Sequence, residues 1–165
     1  MLYFVHVHIV GLDWINILSP LLYWILDYLS RFLFLIMKYS IQINSSPYQS
    51  GSSETAYQFI KSAIDMGHEI TRIFFYQEGI YHAFRYATPP DDEVHITKRW
   101  SALAHEYHID LVVCISAAQR RGLLAENEAK RQGKLDNDLA DGFRIAGLGL
   151  WVEGLLQTDR FIEFN

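Results

Sequence analysis

Residues 37–165 alternate between two hydrophobic periods, one typical of strands and one typical of helices. Short runs rich in β-branched and aromatic residues predict five strands, at Lys38–Ile43, Glu69–Tyr76, Asp110–Ile115, Phe143–Gly147 and Arg160–Phe164. Apolar residues at helical spacing predict the intervening helices, which run from Ser53 to a stop at Gly67, from Val94 to Tyr107, from Leu124 to Gln132 and from Leu150 to Gln157. Strands interleaved with helices imply a sheet covered on both faces. The pattern therefore predicts an α/β protein, three-layer α/β/α, with a five-stranded, mostly parallel sheet of flavodoxin-like appearance.

Two connections carry local signals of their own. Ser52 or Ser53 is predicted to cap the first helix, because serine side chains accept hydrogen bonds from the first N–H groups of a helix. The segment that follows the second strand, "QEGIYHAFRYATPPDDE", is predicted to be irregular, since Pro89 and Pro90 prevent a helix from continuing.

Residues 1–36 differ in character from the rest of the chain. They contain three formal charges, Asp13, Asp27 and Arg31, and 17 of the 23 residues from Trp14 to Ile36 are apolar. That length spans a bilayer of about 30 Å, but a mid-segment aspartate is costly in a membrane. Three interpretations stay open: a start codon assigned too early, so that the native chain begins at Met37; a membrane anchor; or a soluble amphipathic extension. We expect the first, with a domain at 37–165.

Composition narrows the functional classes. The net charge is −5 and the basic residues are scattered, which argues against direct nucleic-acid binding. The single cysteine excludes an internal disulfide and fits a reducing cytoplasm. His105 and His108 lack a sequence-adjacent group to orient them as metal ligands, and the loop "NSSPYQSGSSE" lacks the glycine pattern of a nucleotide site. Neither a metal nor an organic cofactor is expected.

Cys114 is the strongest candidate for chemistry. It lies near the carboxyl end of the third strand, where open α/β sheets form their sites. A helix that opens just after it, at Ser116 or Ala117, would favour the thiolate, and Arg120 and Arg121 would add positive potential. The alternative is a buried structural cysteine, because free cysteine is among the most buried residue types.

Further residues are candidates for the surroundings of this cysteine. Tyr76, Glu78 and His82 follow the second strand, so they are expected near the same edge of the sheet as Cys114. Ser116 lies two residues beyond the cysteine. Residues at strand ends are also often merely exposed, and the pattern alone leaves both readings open.

Several segments resemble the DsrE/TusD family of sulfur-relay proteins. The resemblance covers Met37–Asn165 and none of residues 1–36, which strengthens the expectation of a start at Met37. The motifs that carry it are "GHEITRIFFYQEGIYHA", "VVCISAAQRRG" and "GLGLWVEG".

The resemblance implies a function and a set of partners. Cys114 would accept sulfane sulfur as a persulfide from a TusA-type carrier and pass it to a TusE/DsrC-type acceptor. The chain would work in a heterohexamer with TusB-like and TusC-like (DsrH/DsrF-like) subunits, and a membrane would be involved only if residues 1–36 are genuine. The expected task is 2-thiolation of the wobble uridine of tRNA. The alternatives are a DsrE-type subunit of dissimilatory sulfur oxidation and a non-catalytic flavodoxin-like binding module with a structural cysteine.

Overall fold

The computed structural model describes residues 22–25 and 36–165. The chain divides into two compact units, Met1–Ile36 and Met37–Asn165, and all elements named below belong to the second. The expectations about a misplaced start, an anchor or an extension concern residues 1–36, nearly all of which lie outside the described residues. Among the residues that are described, none forms a helix with the length and apolarity that crossing a membrane requires.

The second unit is built on one parallel sheet. Its strands are β1 (Lys38–Ile43), β2 (Glu69–Phe75), β3 (Asp110–Cys114), β4 (Phe143–Ala146) and β5 (Arg160–Phe164). They pair in the order β4-β3-β2-β1-β5, and each of the four pairs is parallel. The predicted fold class is confirmed, with a sheet that is parallel throughout the described part of the chain.

Five α-helices and one 3-10 helix connect the strands. They are α1 (Ser52–Asp65), the 3-10 helix (Gln77–Ala83), α2 (Ile96–Tyr107), α3 (Ile115–Arg120), α4 (Glu126–Arg131) and α5 (Leu148–Gln157). The 3-10 helix lies in a segment that was predicted to be irregular. The two prolines that motivated the prediction come only six residues after the end of this helix, so they do not interrupt it. Gly67, with φ +83°, follows the end of α1 as expected, whereas Gly51 and not a serine occupies the N-cap.

Strand alternation sorts the sheet into an apolar face and a more polar face. Tyr39, Ile41 and Ile43 share the apolar face of β1, because successive side chains of a strand point to opposite sides. The ring of Phe59 in α1 lies 5.6 Å from that of Tyr39, so α1 covers this face. Trp100 in α2 also packs there, 5.7 Å from the ring of Phe75 in β2.

The other face carries Ser40 and Arg72 and is covered by α5. A Cβ atom added to Gly154 of α5 would lie 3.0 Å from the Ser40 hydroxyl, which shows how closely this helix approaches the sheet. Arg72 donates a short hydrogen bond to the carbonyl of Leu150 at the start of α5. Helices on both faces complete the three-layer arrangement.

A buried histidine connects three segments at the carboxyl edge of the sheet. His82, in the 3-10 helix, is fully buried. The Trp100 indole N–H donates to its Nδ1 at 3.1 Å, so Nε2 carries the ring proton and donates to the Ser45 carbonyl at 3.2 Å. This chain of hydrogen bonds holds the loop after β1, the 3-10 helix and α2 together.

The buried imidazole predicts an acid-sensitive fold. Burial lowers the pKa of His82 from 6.5 to about 4, although the bond to Ser45 opposes the shift. The folded protein therefore favours the neutral imidazole. The contribution of His82 to the free energy of unfolding is fully present above pH 6.5 and is lost as the pH falls from 6.5 towards 4. We expect urea unfolding to show about 2 kcal/mol less stability at pH 5 than at pH 7 from this group. His82→Phe, less stable at pH 7, should lose that part of the pH dependence; an unchanged pH dependence would contradict the assignment.

The 3-10 helix also contains a glycine that no larger residue can replace. A Cβ atom at Gly79 would lie 2.0 Å from the carbonyl oxygen of Ile43, which already accepts a hydrogen bond from the Tyr76 N–H. Because both partners are backbone, Gly79→Ala should lower the free energy of unfolding by about 3 kcal/mol or more. Gly149→Ala, which meets nothing within 4 Å, is the matched control and should be neutral or slightly stabilising. Equal stability of the two variants would refute the close packing.

Candidate active site at the carboxyl edge of the sheet

Cys114 is the point at which β3 becomes α3. It is the last residue of the strand and the N-cap of the helix, with extended φ and ψ of −62° and 121°. The first N–H groups of a helix have no acceptor within it, so the positive end of α3 lies at this cysteine. The residue is only 1% exposed, so its burial agrees with the alternative of a structural cysteine, while its position at the strand end agrees with the expectation for a site.

The sheet places Tyr76 beside Cys114. Phe75 pairs with Val113, so the next residues along the two parallel strands, Tyr76 and Cys114, lie level with each other. The Tyr76 N–H donates to the Ile43 carbonyl at 3.0 Å, so the hydrogen bonding between β1 and β2 continues by one residue and Tyr76 remains in line with β2. Alternation puts both side chains on the more polar face of the sheet, with backbones roughly 4.8 Å apart.

The surface around Cys114 is apolar on its other side. Cys114 pairs with Ala146 of β4, a residue with a small side chain. Ile115, the next residue of the chain, is apolar and 40% exposed. A partner that approaches Cys114 from this side would meet the apolar side chain of Ile115.

Glu78 and Arg121 meet across the carboxyl edge. The Arg121 guanidinium forms a short ion pair with the Glu78 carboxylate of the 3-10 helix, and its Nη1 donates to the Ala117 carbonyl at 3.2 Å. The hydrogen bond to Glu78 is the main cause of the raised pKa of Arg121. This positive charge is therefore paired with a carboxylate. Arg120 and Ser116 are exposed.

His82 lies apart from the other candidate residues. Its ring is 5.4 Å from that of Phe75 and 6.0 Å from that of Trp100, which places it in the core on the face covered by α1 and α2. The side chains of Tyr76 and Cys114 lie on the opposite face. Among the described residues, no group of three or more His, Cys, Asp or Glu side chains is arranged to hold a metal ion.

An open aromatic groove at the same edge of the sheet was not predicted from the sequence. One cavity of about 690 Å³ is lined by four aromatic residues, Tyr48, Tyr81, Phe84 and Tyr86. It adjoins a second cavity of about 480 Å³, with which it shares Gly122 and Lys134. The lining residues come from several strand-to-helix connections, so no single stretch reveals the groove; the closest signal is the aromatic spacing in "YHAFRY".

Proteins of known sequence resemble this chain over the second unit. DsrE of Allochromatium vinosum, provisionally named a sulfurtransferase, is 50% identical over 129 residues, which are 78% of this chain and 99% of that protein. The sulfurtransferase TusD homologue of Vibrio vulnificus is 41% identical over 128 residues, 78% of this chain and 98% of the homologue. The sulfurtransferase TusD of Proteus mirabilis is 38% identical over the same length and the same shares.

Solved structures and a family model agree with these relatives. The ychN protein from E. coli superposes with a TM-score of 0.62 at 18% identity, covering 78% of this chain and all of that one, which supports the fold alone. The model of the DsrE/DsrF-like family matches residues 37–164. The resemblance seen in the sequence motifs is thereby confirmed, and the chain belongs to the DsrE/DsrF-like family.

Proposed function

We propose that this chain is a sulfurtransferase that carries sulfane sulfur as a persulfide on Cys114. Relatives that are named sulfurtransferases and align with nearly their whole length support the activity. The observation that carries the assignment to a residue is the position of the only cysteine. It lies at the β3–α3 junction on the carboxyl edge of a parallel sheet, where such folds place their reactive groups. Residues 37–165 form the transferring unit in this proposal.

The reaction needs one thiolate and no oxidant. The Cys114 thiolate attacks the outer sulfur of a donor persulfide; a new S–S bond forms, the old one breaks, and the donor departs as a thiolate. An acceptor thiolate then attacks the outer sulfur held by Cys114, which leaves as the thiolate it was at the start. A second cysteine nearby would convert the persulfide to a disulfide. A single cysteine suits a carrier.

The proposed partners are those implied by the sequence resemblance. A TusA-type protein supplies the sulfur, a TusE/DsrC-type protein accepts it, and 2-thiolation of the wobble uridine of tRNA consumes it, all in the cytoplasm. The second candidate is a DsrE-type role in dissimilatory sulfur oxidation. It is favoured by the 50% identity to DsrE of Allochromatium vinosum, against 41% to the Vibrio vulnificus TusD homologue. Both candidates use the same transfer at Cys114 and differ in what consumes the sulfur.

The persulfide is directly measurable. Incubation with a sulfur-loaded TusA-type donor should add about 32 Da, the mass of one sulfur atom, to the intact chain, and a reductant should remove it. Cys114→Ser should keep the fold, because serine is nearly isosteric, and should never gain the adduct. Transfer of sulfur to a TusE/DsrC-type acceptor by the serine variant would disprove the assignment.

An apolar stripe on α5 supports assembly with related subunits. Leu148, Val152 and Leu156 lie four residues apart on one side of the helix, and all three are exposed although the opposite side packs on the sheet. Glu153 is the only charged residue of the helix. A helix that is apolar on both sides is typical of one buried on both sides. We propose that TusB-like and TusC-like subunits cover the stripe in a heterohexamer.

A pair of leucine substitutions tests this surface. Leu156→Lys places a charge in the stripe and should reduce association with TusB-like and TusC-like partners at least tenfold, measured by light scattering of the co-expressed proteins. Leu135→Lys changes an even more exposed leucine outside α5 and should leave the complex intact. Normal assembly of the Leu156→Lys variant would remove α5 from the interface.

A further inference from the structure

The 3-10 helix spans the junction at which Cys114 lies. It packs against both β3 and α3, the two elements that meet at the cysteine. His82 fixes its carboxyl-terminal half in the core through Trp100 and Ser45. Its first turn is held to α3 by the Glu78–Arg121 ion pair. The two attachments differ in kind, since one is buried and the other is at the surface.

Arg121 joins the 3-10 helix to α3, the helix that begins directly after Cys114. Its Nη2 binds Glu78, while its Nη1 donates to the carbonyl of Ala117, three residues after the cysteine. One rigid guanidinium thus bonds simultaneously to the first turn of α3 and to the neighbouring segment. The planar, forked donor geometry makes arginine suited to this double contact, and a lysine cannot reproduce it.

The start of the 3-10 helix is conformationally unfavourable on its own. Gln77, its first residue, has a positive φ of 47°, a region that residues other than glycine rarely adopt. The hydrogen bonds of a 3-10 helix are also poorer than those of an α-helix. Neighbouring contacts must therefore hold this turn in place, and the Glu78–Arg121 pair is a side-chain contact made by the residue directly after Gln77.

We propose that Glu78 and Arg121 are positioning residues for sulfur transfer, acting through the placement of α3 and the 3-10 helix around Cys114. The inference rests on the proposed function of Cys114 but assigns Arg121 a role different from electrostatic stabilisation of its thiolate. The guanidinium is already paired with a carboxylate and bonded to Ala117. The two roles make opposite predictions when Glu78 loses its charge.

Glu78→Gln separates the two roles. If the pair positions Cys114, the isosteric neutral side chain should lower the maximal rate of persulfide formation about fivefold, with little change in the donor concentration that gives half that rate. The same variant should make Cys114 react about fivefold faster with iodoacetamide, because the turn beside the buried thiol is less firmly held. If Arg121 stabilises the thiolate instead, release from Glu78 should make persulfide formation faster.

Matched variants complete the experiment. Arg121→Gln should lower the rate of persulfide formation at least as much as Glu78→Gln, because it also removes the bond to Ala117. The double variant should match Arg121→Gln, because the contact with Glu78 is already lost. Glu126→Gln, which removes an exposed ion pair with Lys130 on α4, should behave as wild type. The midpoint of urea unfolding should change little in all of them, since ion pairs at the protein surface contribute little to stability.

The outcomes are distinct from those that test the proposed function. Persulfide formation or alkylation of Glu78→Gln at the wild-type rate overturns the positioning role, as do additive effects in the double variant. If wild type accepts no sulfur from the donor, the proposed function fails. The alkylation rates still decide whether the pair controls the access to Cys114.

Discussion

Parallel pairing of β2 with β3 is the constraint on which the candidate site depends. Because the pairing is parallel, both strands end at the same edge, and the register of Phe75 with Val113 sets Tyr76 level with Cys114. A shift by one residue would turn the cysteine to the opposite face of the sheet. It would then point into the aromatic core under α2 and could not serve a partner protein. The strand register, which is fixed far from the site, therefore determines the face of the sheet on which the thiol lies.

The other end of β3 contains the contacts that hold this register. Asp110, the first residue of the strand, accepts hydrogen bonds from Arg72 of β2 at 2.7 Å and from Arg144 of β4 at 2.6 Å. Burial raises the pKa of Asp110, but the hydrogen bonds from Arg144 and Arg72 outweigh burial and hold it below its usual value. One carboxylate thus ties β3 to both neighbours. The Asp110 carboxylate that holds β3 in place lies at the amino end of the strand. The carboxyl end of β3, where Cys114 lies, needs no such ion pair within the sheet.

The sequence predicted those features whose cause is local. Strands β1 and β5 agree with prediction residue for residue, because their β-branched and aromatic runs are bounded by clear breaks in pattern. The 3-10 helix was not predicted, since its positive φ at Gln77 and its contact at Gly79 are imposed by the neighbouring strand. The partner of Arg121 lies 43 residues away in the chain. A pattern of residue types cannot show which carboxylate such an arginine will meet.

Burial of the Cys114 thiol bears on the proposed sulfur transfer. The empty side chain is 1% exposed, so a bulk oxidant has poor access to it, whereas a protein that loosens or covers the edge can reach it. In the proposed reaction a second sulfur joins Cys114 through a bond of about 2.05 Å, so the reactive atom lies farther from the Cys114 backbone by up to that length. Ile115, the next residue of the chain, is apolar and 40% exposed, and it excludes water from this edge once a partner covers it. In the proposed carrier, the transferable sulfur therefore lies farther from the backbone than the cysteine sulfur, which stays within the fold, so the loaded form differs in reactivity from the empty one.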